Sequence, residues 1–510
     1  MANGQLFAKK PIALIQQEFS GGPLKRHLGP VNLVSLGIGA IIGAGIFVMT
    51  GQAAADFAGP AVIISFVVAG LACAFAGLCY AELASTMPVS GSAYTYSYAT
   101  LGEVFAWAMG WLLLLEYGVA ASTVAVGWSG YIVSFLKDFG VVIPATMSTS
   151  TISLVDGALQ YAPQVNIVAS LGILMVTALL VVGVRESASV NNVIVIIKVA
   201  VLFLFIGVGF TYINQENWTP FIPPNEGGFN YGWEGVLRAA SIIFFAYVGF
   251  EAVSTAAGEA KNPQRDLPIG ILGSLLFCTI IYMAVAAVLT GVVKFDQLGV
   301  PDPIAVAVDA MGLPWLSFVV KVGAITGLSS VMLVLVYAQT RVFYQMSKDG
   351  LLPSLFSSVH PKFHTPASGT TLLGIVIAVA AAILPLRVLG DLVSLGTALA
   401  FTIVCVSVIY LRNHAPTLER PFKVPLYPLT PILGIIFCVL FMMGPIILDI
   451  VSKSIGYDLL GGMLGSPGEV DRDPIALWIL VFYIIAGALI YMFYGYRNSK
   501  ITHPTQTPAE

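Results

Sequence analysis

The sequence predicts an all-α integral membrane protein, a single bundle of 12 transmembrane helices of which two are broken. Three observations predict it. The 510 residues are 57% hydrophobic and only 10% charged, with a mean hydropathy of +0.90, whereas a soluble domain carries about 25% charged residues. Apolar runs of about 20 residues, the length that crosses ~30 Å of hydrocarbon, recur along nearly the whole chain. Two of those runs carry glycine at mid-length: "SLGIGAIIGAGIF" (35–47) and "SIIFFAYVGFEAVSTAAGEAKNPQRDLPIG" (241–270).

Taken in order, residues 1–30 are polar and basic, without the short apolar region and cleavage site of a removable signal peptide. They are expected to form a cytoplasmic N-terminal segment. The expected spans are 31–55, 60–86, 101–134, 165–184, 187–212, 232–257, 267–293, 314–346, 367–386, 389–411, 428–450 and 474–496. "AGP" (58–60) is a turn between the first two. The longest polar intervals, about 140–164, 213–231 and 453–473, read as connectors, the acidic 469–473 stretch as solvated surface, and 497–510 as a cytoplasmic tail. With the N-terminus inside, cytoplasmic segments hold fifteen Lys and Arg residues against five outside (Lys137, Lys294, Arg387, Lys453, Arg472). That asymmetry places both termini in the cytoplasm. Lys198, Arg238 and Lys321 fall within spans.

All five cysteines (Cys73, Cys79, Cys278, Cys405, Cys438) lie in apolar spans at spacings of neither a zinc knuckle nor a redox pair, and read as buried small hydrophobes. His360 and His364 have Pro361 between them and no HExxH around them, so no metal site is expected. A net charge of −3 gives no sign of a nucleic-acid partner.

Gly43 and Gly249 stand 206 residues apart, and five spans begin with each interrupted helix. Two halves, 31–211 and 232–411, therefore read as structural repeats, and the odd number of spans requires the second to be inverted. Inverted repeats with broken leading helices are the architecture of many secondary transporters, which bind substrate at the repeat interface. The remaining spans, 428–496, would serve packing or association. Gly39 and Gly43 also match the small-residue pattern of close helix packing, a competing reading of the same stretch. A dinucleotide loop is a poor fit, since GIGAII lacks the third glycine and follows no strand. If the first helix unwinds around Ile41–Gly45, the second half-helix offers free N–H groups and a positive dipole end, suited to a carboxylate. A break around Phe245–Gly249 ends a half-helix in unpaired carbonyls, suited to an ammonium. Together these suit the head group of an amino acid.

At these residues a family becomes recognisable. "GIGAIIGAGIF", "FFAYVGFEAVSTAAGEAKNPQRDLPIGI" and "QTRVFYQMSKDGLLP" resemble the first-, sixth- and eighth-helix signatures of the cationic amino acid transporter (CAT) subfamily of the amino acid-polyamine-organocation (APC) superfamily, over roughly residues 25–425. The resemblance implies a LeuT-type fold with a 5+5 inverted repeat. It implies that Ile41, Gly43, Ala44 and Gly45 hold the substrate's carboxylate and amino group, that Phe245 and Val248 supply carbonyls, and that Phe245 gates the substrate.

Lys198 lies about eleven residues into the fifth span, ~16 Å deep at 1.5 Å per residue. A charge at that depth costs roughly 2.5–3.5 kcal/mol or more, which makes it a functional candidate, although a lysine fixed structurally by helix carbonyls is the alternative. Proton-coupled relatives carry a lysine at the matching position in place of sodium. Ser329 and Ser330 fall near hydroxyl ligands of sodium-coupled members. The resemblance thus implies H+ as the coupling ion, no Na+, and no other cofactor. Glu116 is the second mid-membrane charge, open to a proton, a cationic side chain or a polar neighbour. Glu251 lines the inner path or caps its half-helix. Val119 and Met332 are the side-chain pocket candidates. Met332 is apolar, and Glu116 alone could meet a cationic side chain, so small neutral amino acids such as alanine stand beside cationic ones. The expected function is proton symport of L-amino acids across the plasma membrane by alternating access, the alternatives being an exchanger or uniporter. Neither enzyme motifs nor a channel's filter loop is visible. The expected partners are the amino acid and the lipid bilayer, and a small single-span membrane partner would leave no trace in the sequence.

Overall fold

The computed structural model describes residues 7–11, 28–87, 92–155, 158–183, 188–256, 260–455 and 475–501. Lys25, Arg26, Arg185, Arg472, the 469–473 stretch and most of the 497–510 tail lie outside them.

The first expected span is two pieces. Helix α1 (Pro30–Ile41) opens on proline at its first turn and stops at Ile42, whose backbone is extended (φ −70°, ψ 99°). Helical backbone resumes at Gly45 in a π-helical turn, Gly45–Met49, passes through a second, Ala54–Ala58, and after a short 3-10 turn continues into α2 (Val62–Thr86). Helix α3 (Ser92–Thr100) is a short element that the span pattern did not anticipate. Helix α4 (Glu103–Asp138) is long and contains a π-helical turn at Leu114–Val119. The 140–164 connector is not plain loop: β1 (Ile152–Val155) and β2 (Ala158–Tyr161) pair antiparallel, Ile152 opposite Tyr161. Helices α5 (Ile167–Val182) and α6 (Ala188–Gly209) complete the first half.

The sixth expected span also comes apart. Helix α7 (Gly232–Ile243) tightens into a 3-10 turn at Phe244–Tyr247, and helix returns only as α8 (Ala252–Thr255). Then follow α9 (Pro263–Val292), the short loop helix α10 (Pro303–Ala310), α11 (Pro314–Lys348), α12 (Ala367–Ile383), α13 (Leu386–His414), α14 (Leu429–Ser452) and α15 (Ile475–Ile490), which continues helically to Asn498. Among the described residues nine helical stretches are long and apolar enough to cross a membrane, and three more apolar helices, α1, α5 and α12, are shorter. The most extensive helix contacts join α9 to α2 and to α1, α5 to α12, and α11 to α4. Three of these four pair a helix with the one five spans later.

The cations Arg238 and Lys321, placed within spans, are compensated. Arg238 of α7, fully buried, meets Asp391 of α13 at 2.7 Å and Asp449 of α14 at 3.1 Å, and Arg387 shares Asp449 at 3.0 Å. Both guanidinium groups lie 4.8 Å from the Phe57 ring. Lys321 of α11 holds Asp138 (2.8 Å) at the end of α4 and Asp309 (3.0 Å) on α10. At the opposite face, where the chain ends dock, buried Glu82 of α2 accepts both N–H groups of Arg412 and the Val424 backbone N–H. There Asp349, after α11, takes the Lys10 ammonium at 3.0 Å and the Tyr94 hydroxyl at 2.8 Å, while its carbonyl accepts the Lys500 N–H at 3.1 Å. All five cysteines are free and buried, in agreement with their reading as small hydrophobes.

Candidate functional site

The two breaks lie against each other. A Cβ on Gly45 would overlap the Cα of Ala246, and one on Gly249 would stand 2.7 Å from the carbonyl carbon and oxygen of Ala40. Gly249 also holds φ +121°, a left-handed backbone that side chains resist. Backbone therefore meets backbone at both crossings, which no other residue type permits.

In the α1 break the last bond of the first half is Ile42 N–H to Ile38 O (2.9 Å), and the new ladder begins with Phe47 N–H to Gly43 O (3.3 Å). The N–H groups of Gly43, Ala44 and Gly45 thus open a helix, where donors lack intrahelical acceptors and the dipole is positive. The exposed carbonyl end of α1 is matched by donors: Tyr282 Oη of α9 reaches Ile41 O at 2.9 Å, and Lys198 Nζ of α6 reaches Gly39 O at 2.8 Å and Ile42 O at 3.1 Å. A cation at a helix C-terminus is electrostatically favoured. The lysine is buried and its stem crosses α11 at Gly327. The sequence placed Lys198 at depth; the carbonyls it serves and the role of Tyr282, one tyrosine in an apolar run, required the fold.

In the second break Val248 N–H turns back to Phe245 O at 3.1 Å, and Gly249 N–H donates to Glu251 Oε2 at 2.9 Å. Glu251 therefore caps the break. Its Oε1 and both carboxylate oxygens of Glu116 have no hydrogen-bond partner among the described residues, nor do the hydroxyls of Tyr80 and Tyr96. Glu116 sits in the π-helical turn of α4, close enough to Glu251 for the two charges to act on each other. The structure thus gathers two acids and two tyrosines beside the crossing, a cluster that only Glu116 and Glu251 signalled in sequence.

The remaining candidates divide. Ser329 Oγ accepts from Trp128 Nε1 of α4 at 2.9 Å and donates to Ile325 O at 2.8 Å, away from the lysine's carbonyls. Ser330, one residue on, is buried. Met332 is buried, with its terminal methyl in the neighbourhood of Gly172 on α5. Val119 packs beside Leu115, Val388 and Leu392, between α4 and α13. Phe245 and Val248 are buried at the crossing.

Residues 28–465 match the family described as amino acid permease. The chain is 43% identical over 497 residues to the methylthioribose transporter of Bacillus subtilis (strain 168), covering 97% of this chain and 99% of that one. It is also 43% identical over 500 residues to the branched-chain amino acid permease BcaP of the same organism, covering 98% and 99%. It is 38% identical over 417 residues to the vacuolar cationic amino acid transporter 4 of Arabidopsis thaliana, covering 81% and 68%.

Proposed function

Because the chain belongs to the amino acid permease family, a group of membrane transporters within the APC superfamily and not of enzymes, we propose that it carries a small neutral L-amino acid together with a proton by alternating access. The arrangement proposed is a LeuT-type bundle of twelve spans, both termini cytoplasmic, in the plasma membrane, with 31–211 and 232–411 as inverted repeats. What supports it is the pair of touching breaks and the packing of helices five spans apart.

The amino acid's carboxylate would lie on the N–H groups of Gly43, Ala44 and Gly45, with Ile41 at the edge of the break. Its ammonium would lie on carbonyls of Phe245 and Val248. Met332 and Val119 would bound the side chain, Glu116 would meet a proton or a polar group of the substrate, and Glu251 would cap its half-helix on the inner path. One observation carries the coupling: the ammonium of Lys198 rests on Gly39 and Ile42 carbonyls at the lip of the substrate break. A charged lysine closes that lip without sodium. A neutral one makes fewer and weaker bonds, so its proton is tied to the geometry of the break.

The test is uptake into proteoliposomes of labelled alanine, leucine, arginine and methylthioribose, with and without an inward proton gradient, for wild type and Lys198→Ala. Gradient-driven accumulation of alanine that disappears in the variant is the expected result. Gradient-independent uptake in both proteins would make this a facilitator or exchanger. Methylthioribose accumulation without any amino acid uptake would overturn the substrate assignment.

A further inference from the structure

Helix α5 holds a single interior glycine, Gly172, buried where α4 and α11 pack on it. Glycine weakens a helix interior, so its use there asks for a neighbour that needs the room. Two neighbours take it. A Cβ on Gly172 would stand 3.1 Å from two carbons of the Trp128 ring on α4 and 3.8 Å from the terminal methyl of Met332 on α11. The indole is pinned beside the glycine: its Nε1 donates to Ser329 Oγ at 2.9 Å, and that hydroxyl donates in turn to Ile325 O at 2.8 Å. Helix backbone on one side and a held ring on the other bound a niche that the Met332 methyl reaches.

Met332 also borders the broken helix. At ~100° per residue along α11, it projects between two neighbours that face opposite ways. Val331 puts its methyls 3.1 and 3.3 Å from a Cβ built on Gly43, and Ser329 faces the indole. An unbranched methionine with three rotatable bonds can turn towards either flank. We propose that the niche at Gly172 is where Met332 withdraws to admit a larger apolar side chain, so that one site takes neutral amino acids from alanine to the size of leucine. Gly172 and Trp128 are then positioning residues that set selectivity through Met332. This deepens the transport reading and rests on it. The structure shows the withdrawn arrangement, with Met332 1% exposed and its methyl beside Gly172. With alanine bound, the thioether swings towards the break and fills the space that the branched end of leucine would take. With leucine bound, it stays at Gly172.

Initial-rate uptake of labelled alanine and leucine into proteoliposomes decides it, read as the leucine-to-alanine ratio of kcat/KM. The proteins compared are wild type, Gly172→Ala, Gly172→Val, Met332→Ala and the Gly172→Val/Met332→Ala double variant. Gly172→Val fills the niche and should lower the ratio about tenfold, the lower end of what one methylene commands in an apolar pocket. Gly172→Ala, whose added Cβ meets the Met332 methyl at ordinary contact distance, should lower it less and serves if the valine variant fails to fold. Met332→Ala should raise the ratio, and adding Gly172→Val to it should change the ratio no further, because no thioether is left to displace. A glycine that serves only the indole would slow both substrates alike. A ratio unmoved in both single Gly172 variants, or lowered as far without Met332 as with it, would therefore overturn the niche, as would a wild type that takes up only one of the two amino acids. Wild type that takes up neither would overturn the transport reading itself.

Discussion

Gly45 is the residue on which the crossing of the two broken helices turns. A single methyl there would occupy the position of the Ala246 backbone, which cannot retreat as a flexible side chain could. Gly45→Ala should therefore lower stability by about 1–3 kcal/mol and abolish uptake, read by detergent melting and proteoliposome transport. At Gly43 an added Cβ meets only the Val331 methyls, at 3.1 Å, so Gly43→Ala should fold with a smaller loss. The glycine pattern itself was legible in sequence, because glycine in an apolar run has few other uses. Which glycine touches what was not, since both readings of Gly39 and Gly43 leave the same letters. Ser329 makes the same point. Its position on the helix was legible, but its bond to Trp128 depends on how α4 and α11 pack, which no spacing within one helix reports.

Among the elements, α7, α13 and α14 are tied by one guanidinium. Removing Arg238 leaves Asp391 and Asp449 buried with half their compensation gone, so Arg238→Met should cost about 3–5 kcal/mol, seen as a lowered melting temperature. Lys321→Met should cost less, because Asp138 and Asp309 are 42% and 47% exposed and can turn to water. From sequence Arg238 and Lys321 were only cations inside apolar spans. Their carboxylates come from helices up to 211 residues away, and a single sequence holds no record of that pairing. Span positions fared better, since twenty apolar residues fix a helix whatever surrounds it. The short elements α3 and α10 and the β1–β2 hairpin escaped notice because each is far shorter than the ~20-residue run by which hydropathy finds a span.

Across the molecule as a whole, acidity acts on the loop that caps one face. Asp302, at the start of α10, has its carboxyl pushed up to about 6, mainly by burial, with the Ser134 hydroxyl and Lys321 opposing and Asp309 adding to the rise. The folded protein then holds this proton to higher pH than the unfolded chain does. Stability therefore falls as pH rises from about 4 through 6 and levels off beyond. Asp302→Asn should remove that slope, so the difference in melting temperature between variant and wild type should grow from pH 4.5 to pH 7.5.

The clasp at Asp349 sets a schedule as well as a shape. Its carboxylate waits for Lys10 and its carbonyl for Lys500, residues that leave the ribosome far apart in time. Residues 8–10 emerge long before α11 exists to receive them, and the last strand of the knot arrives only after α15 has been threaded into the bilayer. This clasp thus closes only after α15 is made, and a chain halted before residue 500 would leave it open.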